Sequence, residues 1–249
     1  MSIDERDSVA MQFGVSPEQV ERDHLISHLL AAISRGFGDR LHFIGGTALA
    51  RTHLVSGRLS EDVDLVALDN RSVLAAELDA ALPRSVARSY GRLEWAPSLS
   101  NVSDAGAANL RSASGVSVTI QLLSARGRMA WPTELRRLQQ RYSDVPSAEL
   151  LVPTLPAFVA GKTATWHDRR ASRDLWDLWA LSGIGAIDNA AGALYRKNGP
   201  TGRLPGSQLF DHAPGEDDWH TQLAGQTRLV ITAESALAAV RDAWARVVA

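Results

Sequence analysis

A short, largely apolar run, Leu41-His42-Phe43-Ile44, passes straight into Gly45-Gly46-Thr47. That order constrains the fold more than any other feature of the chain. Four residues of this kind read as a buried strand, and paired glycines after them read as a tight turn that lets backbone approach closely. Ala48 to Val55 then reads as a helix broken at Gly57-Arg58, and Val63, Leu65, Val66 and Leu68 mark a second strand. Asp62 and Asp64 open that strand. Residues two apart in a strand point to one side, so the pattern predicts two carboxylates on one face, beside a glycine turn.

The surrounding pattern extends this unit. Ser16-Pro17-Glu18-Gln19 has the residues of a helix start, a capping serine with proline in the first turn. Val20, Leu25, Leu29, Ala32 and Ile33 follow at helical spacing, and Gly36 and Gly38 end the helix. Ser72 to Leu82 reads as a helix stopped by Pro83. Ala87 to Trp95, Ala107 to Arg111 and Val116 to Leu123 read as strands, the last with Val116, Val118, Ile120 and Leu122 on one face. Strand, helix, strand, helix, then several strands indicates an α/β or α+β sheet domain, ending near residue 145. Beyond it Thr154 to His167, Ala171 to Ser182 and Ser235 to Val248 read as helices. Residues 199–218, rich in Gly and Pro with Glu216-Asp217-Asp218 at their end, read as a long loop.

The two aspartates suggest magnesium, which takes hard oxygen ligands from one or two carboxylates plus substrate phosphates. Two such ions can clamp the attacking and leaving oxygens of an in-line displacement. The glycine turn would present backbone N–H groups to a triphosphate, and Thr47 could add a hydroxyl donor. The chain has no cysteine, which excludes disulfides, thiolate metal sites and a cysteine nucleophile. Its net charge is -2, so any nucleic-acid site must be a local patch. Arg126, Arg128, Arg136, Arg137 and Arg141 could form one, the last three on a possible helix, or they could be a solvated face. Of the 26 basic residues only Lys162 and Lys197 are lysine, which directs attention to Lys162. Asp174 and Asp177 are either site acids or salt-bridge partners of Arg169, Arg170 and Arg173. Trp166, Trp176 and Trp179 read as core between helices, and His42 and His53 as packing or surface residues.

Phe43-Ile44-Gly45-Gly46-Thr47-Ala48-Leu49 followed by Arg58-Leu59-Ser60-Glu61-Asp62-Val63-Asp64-Leu65 resembles the AbiEii/AbiGii nucleotidyltransferase toxins. These belong to the DNA polymerase β-like superfamily and include the MenT-like toxins. Glu21-Arg22-Asp23-His24 is similar to a further family segment. So is Lys162, then Asp168-Arg169, then Arg173-Asp174-Leu175-Trp176-Asp177-Leu178. The resemblance covers roughly residues 13–182. It implies a nucleotidyltransferase-like mixed sheet domain (residues 1–145) and a helical domain (146–249) that completes the nucleotide cleft. It implies Mg2+ on Asp62 and Asp64, and nucleotide contacts from Gly45, Gly46, Thr47, Ser60, Lys162 and Arg173. Lys162, Asp174 and Asp177 would join the two aspartates in the catalytic set. An NTP would be the donor, RNA at the tRNA 3′ end the acceptor, and a cognate antitoxin the protein partner.

One departure stands out. The superfamily places a third carboxylate on a later strand, and here Ser117-Val118-Thr119-Ile120-Gln121 has none. Three readings follow: the base is Asp174 or Asp177, no strong base is needed, or activity is weak. A small-molecule acceptor of the aminoglycoside kind and a catalytically impaired nucleotide- or RNA-binding relative are the alternatives. No apolar run reaches membrane-spanning length and the polar N-terminus has no signal core, so the expectation is a cytoplasmic protein without membrane contact.

Overall fold

The computed structural model describes residues 1–128 and 131–248. Contacts divide the chain into two units, Met1–Ala130 with Glu134–Val152, and Trp131–Thr133 with Pro153–Ala249.

The first unit opens on a helix that apolar spacing does not announce. Helix α1 (Ile3–Phe13) buries only Val9 and Phe13, one turn apart. Its caps define it: the Ser2 hydroxyl accepts from Glu5 N–H at 3.1 Å, Ser2 N–H donates to the Glu5 carboxylate at 2.9 Å, and Gly14 closes the end at φ 69°. Helix α2 (Pro17–Phe37) starts at Ser16 as read, and Gly36 lies inside its last turn.

Strand β1 (Leu41–Ile44) leads directly into helix α3 (Gly45–Thr52). The glycine pair is therefore the first turn of this helix and not a separate turn before it. Strand β2 (Asp62–Ala67) follows, then helix α4 (Arg71–Tyr90). Helix α4 runs through Pro83, where the sequence reading stopped it, and occupies 87–90, read as strand. Proline at 83 cannot donate to the carbonyl of Asp79. The Trp95 indole N–H takes that carbonyl instead, at 3.0 Å. Leu74, Leu78, Leu82 and Val86 then keep one apolar stripe buried across the proline.

Strands β3 (Leu93–Trp95), β4 (Ala107–Ser112), β5 (Ser117–Ser124), β6 (Thr133–Arg137) and β7 (Glu149–Pro153) complete a seven-stranded sheet among the described residues, in the order β3-β4-β5-β2-β1-β7-β6. The sheet is mixed: β2 is antiparallel to β1 and parallel to β5. Arg136 and Arg137 lie on strand β6, not on a helix. One face of the sheet carries Val63, Leu65, Val118, Ile120 and Leu122, all fully buried, and α2 and α4 pack on β5 and on each other. Each such side chain contributes about 1.5–3 kcal/mol on leaving water.

The second unit is helical: α5 (Leu155–Arg169), α6 (Ser172–Gly183), α7 (Asn189–Asn198), α8 (Glu216–Leu223) and α9 (Ala233–Val248). Arg170, at φ 49°, ends α5 in a left-handed cap, so α6 starts a new direction and packs back on α5. Trp166, Trp219 and Trp244 are among its largest buried side chains. The Trp166 indole donates to Leu209 C=O at 3.1 Å. This draws in the segment read as a long loop: Leu209 and Phe210 are buried in a short 3-10 turn, and Glu216-Asp217-Asp218 form the first turn of α8. Acidic residues suit that end of the helix dipole.

Candidate nucleotide site

The site is built where β1 hands over to α3. Ile44 pairs with Asp64, so the start of α3 lies beside the Asp64 side chain. Along β2, Val63 and Leu65 point into the core while Asp62 and Asp64 alternate with them on the opposite, half-buried face. Gly45 has φ 80°, and a Cβ added there would lie 2.1 Å from Asp64 Oδ2. The position is glycine for two reasons, its backbone conformation and the carboxylate that fills its side-chain space. At Gly46 an added Cβ would lie 2.8 Å from Arg58 Nη2 and 3.3 Å from Ser60 Oγ, and Arg58 and Ser60 are both buried. The bare first turn of α3 is thus packed by the three side chains of the Arg58-to-Asp64 segment that reach it.

Ile44, the N-cap residue of α3, supplies no side-chain capping bond. The first N–H groups of α3 have no intrahelical acceptor, and the helix dipole favours an anion there. Thr47 is 1% exposed and its hydroxyl donates to the main-chain carbonyl of Asp62. It fastens the start of β2 to α3.

The neighbouring strands fill out the face. In the parallel register Thr119 stands opposite Asp62 and Gln121 opposite Asp64, and on β4 Asn109 pairs with Thr119. The row across three strands reads Asp62, Thr119, Asn109, with no third acid. The Gln121 amide N–H donates to Ala105 C=O at 2.7 Å. Asn109 Oδ1 is buried without a hydrogen-bond partner. Sequence reading did not single out Asn109; its alternation with buried Ala108 and Leu110 was the available signal.

The far end of α3 is anchored in the core. Arg51 is 2% exposed and donates to Asp23 Oδ1 at 2.9 Å and Ser27 Oγ at 2.8 Å. Asp23 also accepts from Arg141 Nη1 at 3.0 Å and Tyr142 OH at 2.8 Å. Burial raises the Asp23 carboxyl, but Arg51 and Arg141 outweigh it and hold it below the usual range. Arg141, grouped by sequence with a surface patch, is thus a buried ion-pair partner, and Asp23 is the internal anchor of its segment.

The second charged cluster lies within the helical unit. Lys162 on α5 meets Asp177 Oδ2 at 2.6 Å and Asp174 Oδ1 at 3.1 Å on α6. Arg169 grips Asp174 with two bonds, of 2.7 and 3.1 Å. Asp174 is fully buried; burial raises its carboxyl, and Lys162 and Arg169 outweigh that and hold it down. Arg173 lies half-buried on the same helix. The break at Arg170 places Lys162 beside these acids and separates it from an eleven-residue helical alignment with Arg173. Trp166 and Trp176 are core, and the Trp176 and Trp179 rings meet edge-on at 5.7 Å.

The profile described as "Nucleotidyl transferase AbiEii toxin, Type IV TA system" matches residues 28–246. No curated protein matches the chain. Among solved structures, MenT4, a nucleotidyltransferase toxin from Mycobacterium tuberculosis H37Rv, superposes with a TM-score of 0.66 at 22% identity, over 98% of this chain and 89% of that one. At that identity the likeness establishes the mixed α/β fold.

Proposed function

The chain belongs to the AbiEii nucleotidyltransferase toxin family of type IV toxin–antitoxin systems, and from that premise we propose that it transfers a nucleoside monophosphate from an NTP to RNA, at the 3′ end of tRNA. The observation that carries this reading is the Asp62 and Asp64 pair on one half-buried face beside the glycine start of α3, whose N-cap residue Ile44 supplies no capping side chain.

The donor set fits Mg2+: two hard carboxylate oxygens on one face, with Gly45 leaving room for one of them. Bound by Asp62 and Asp64, Mg2+ would neutralise charge on the triphosphate and its pyrophosphate product. The chain's own groups do the rest. The Gly45, Gly46 and Thr47 N–H groups would receive a phosphate at the helix start. Ser60, against Gly46, and Arg58 hold that turn in shape. Lys162 would supply a point charge to a phosphate, with Asp174 and Asp177 fixing its position and Arg173 adding a second cation. The acceptor oxygen forms a bond to the α-phosphorus as the bond to the β-phosphate oxygen breaks. Pyrophosphate leaves, and the hydroxyl proton passes to an ionised site carboxylate or to water. Catalysis then rests on positioning and charge more than on a strong base.

A toxin of this family calls for a cognate antitoxin, and tRNA and NTPs place the reaction in the cytoplasm. Among the described residues no helix is long and apolar enough to cross a membrane.

Incubation with each α-labelled NTP and total RNA tests the acceptor. One NTP should label tRNA-sized RNA; no label on any RNA with all four would count against the proposal. The absence of an acid at Thr119 and Gln121 favours a second reading, nucleotide binding without turnover. Saturable NTP binding with no transfer to RNA would support it.

A further inference from the structure

A further cluster lies in the first unit and is built from different chemistry, two imidazoles and a carboxylate. His24 and His28 are four apart on α2 and share a face. Asp144, in the turn after β6, meets them. His24 Nε2 lies 3.0 and 3.1 Å from the two carboxylate oxygens, and His28 Nε2 lies 3.9 Å from Oδ2. One ligand atom from each fits within 4.8 Å, and among the described residues this is the one group of three such side chains.

Two observations go beyond proximity. His28 Nε2 is buried and has no hydrogen-bond partner. The second concerns His24. Its Nδ1 lies against the Tyr90 hydroxyl, whose oxygen is also 3.2 Å from Glu21 C=O, so the ring is held with Nε2 aimed at the Asp144 carboxylate, 3.0 Å away. The Met1 ammonium reaches Asp144 Oδ2, leaving Oδ1 to face His24.

We propose that His24, His28 and Asp144 form a binding site for a borderline divalent metal ion of the zinc class. Two imidazoles and one carboxylate, with one position open, suit Zn2+ or Co2+, whereas Mg2+ prefers an octahedron of oxygens. Metal–ligand distances of about 2.0–2.2 Å set ligand atoms roughly 3.3–3.6 Å apart in a tetrahedron, and the three ligand atoms here lie within 4.8 Å of one another, so binding would draw them together. The Tyr90 hydrogen bond is the outer partner that metal-bound histidines use to fix their tautomer. The ion would join α2 to the turn whose Arg141 and Tyr142 bind Asp23. It would thus reinforce the packing behind α3.

The test is calorimetric titration of the untagged, metal-stripped full chain with ZnCl2, together with thermal unfolding. The wild type should bind one Zn2+ per chain, and its unfolding midpoint should rise with Zn2+ because the ion binds the folded state. His28→Gln should keep the metal-free circular dichroism spectrum and weaken binding by at least roughly tenfold. Asp144→Asn should do the same, while His220→Gln, on the exposed surface of α8, should bind as wild type. No uptake by the wild type, or unchanged affinity in both His28→Gln and Asp144→Asn, would overturn the assignment.

Discussion

Gly45→Ala separates two roles of one glycine. Alanine at φ 80° pays the left-handed backbone penalty, about 1–2 kcal/mol. Its Cβ would also lie 2.1 Å from Asp64 Oδ2, and must displace that carboxylate by about 1 Å to reach ordinary contact. A misplacement of that size costs on the order of 10²-fold in rate. Gly115→Ala is the control. Gly115 has φ 92° with nothing within 4 Å of an added Cβ, so it carries a comparable backbone penalty without the collision. Urea unfolding should show both variants destabilised by the backbone penalty, with Gly45→Ala losing more because of the collision. Initial rates of nucleotide transfer, measured well below the unfolding transition, should fall roughly 10²-fold for Gly45→Ala and stay near wild type for Gly115→Ala. Equal activity in the two variants would refute the claim that the Asp64 position beside Gly45 matters for the reaction.

Three further outcomes follow from the charged clusters. Asp23→Asn leaves buried Arg51 and Arg141 without their anion and should cost about 3–5 kcal/mol in chemical unfolding; Arg92→Ala, in an exposed pair with Glu94, should change little. Lys162→Met removes the ammonium shared by Asp174 and Asp177 and should cost on the order of 3 kcal/mol, with Asp177→Asn added to it restoring part of the loss; purely additive costs in the double variant would argue against a coupled cluster. The Asp174 carboxyl is held below its usual value by Lys162 and Arg169 against the effect of burial. Its contribution is therefore fully present above the ordinary carboxylate range, about pH 4, and is lost as pH falls through the lowered folded value. Thermal midpoints of the wild type should drop below about pH 4 more steeply than those of Asp174→Asn, and parallel curves would contradict this.

What could be read from the sequence was what short-range patterns encode. Alternation along Asp62-Val63-Asp64-Leu65 placed two carboxylates on one face, and the missing acid at Thr119 and Gln121 was visible before the register set them opposite Asp62 and Asp64. Features that depend on distant partners were not readable. Proline at 83 signals a helix end locally, and only the Trp95 indole, twelve residues on, takes up the carbonyl it strands. Helix α1 was missed because its caps, more than its apolar spacing, define it. Arg141 looked like surface charge because Asp23, its partner, is 118 residues away in the chain. Thr47 has the right hydroxyl for a phosphate, yet that hydroxyl is given to Asp62 C=O, so any phosphate contact at this position falls to its N–H.

The central claim is that the two β2 carboxylates carry the reaction. The direct measurement is the initial rate of NMP transfer to RNA by Asp62→Asn and Asp64→Asn, each with a wild-type circular dichroism spectrum and thermal midpoint. The account expects losses of roughly 10²–10³-fold or more in both. Folded Asp64→Asn protein that transfers nucleotide at the wild-type rate would contradict it.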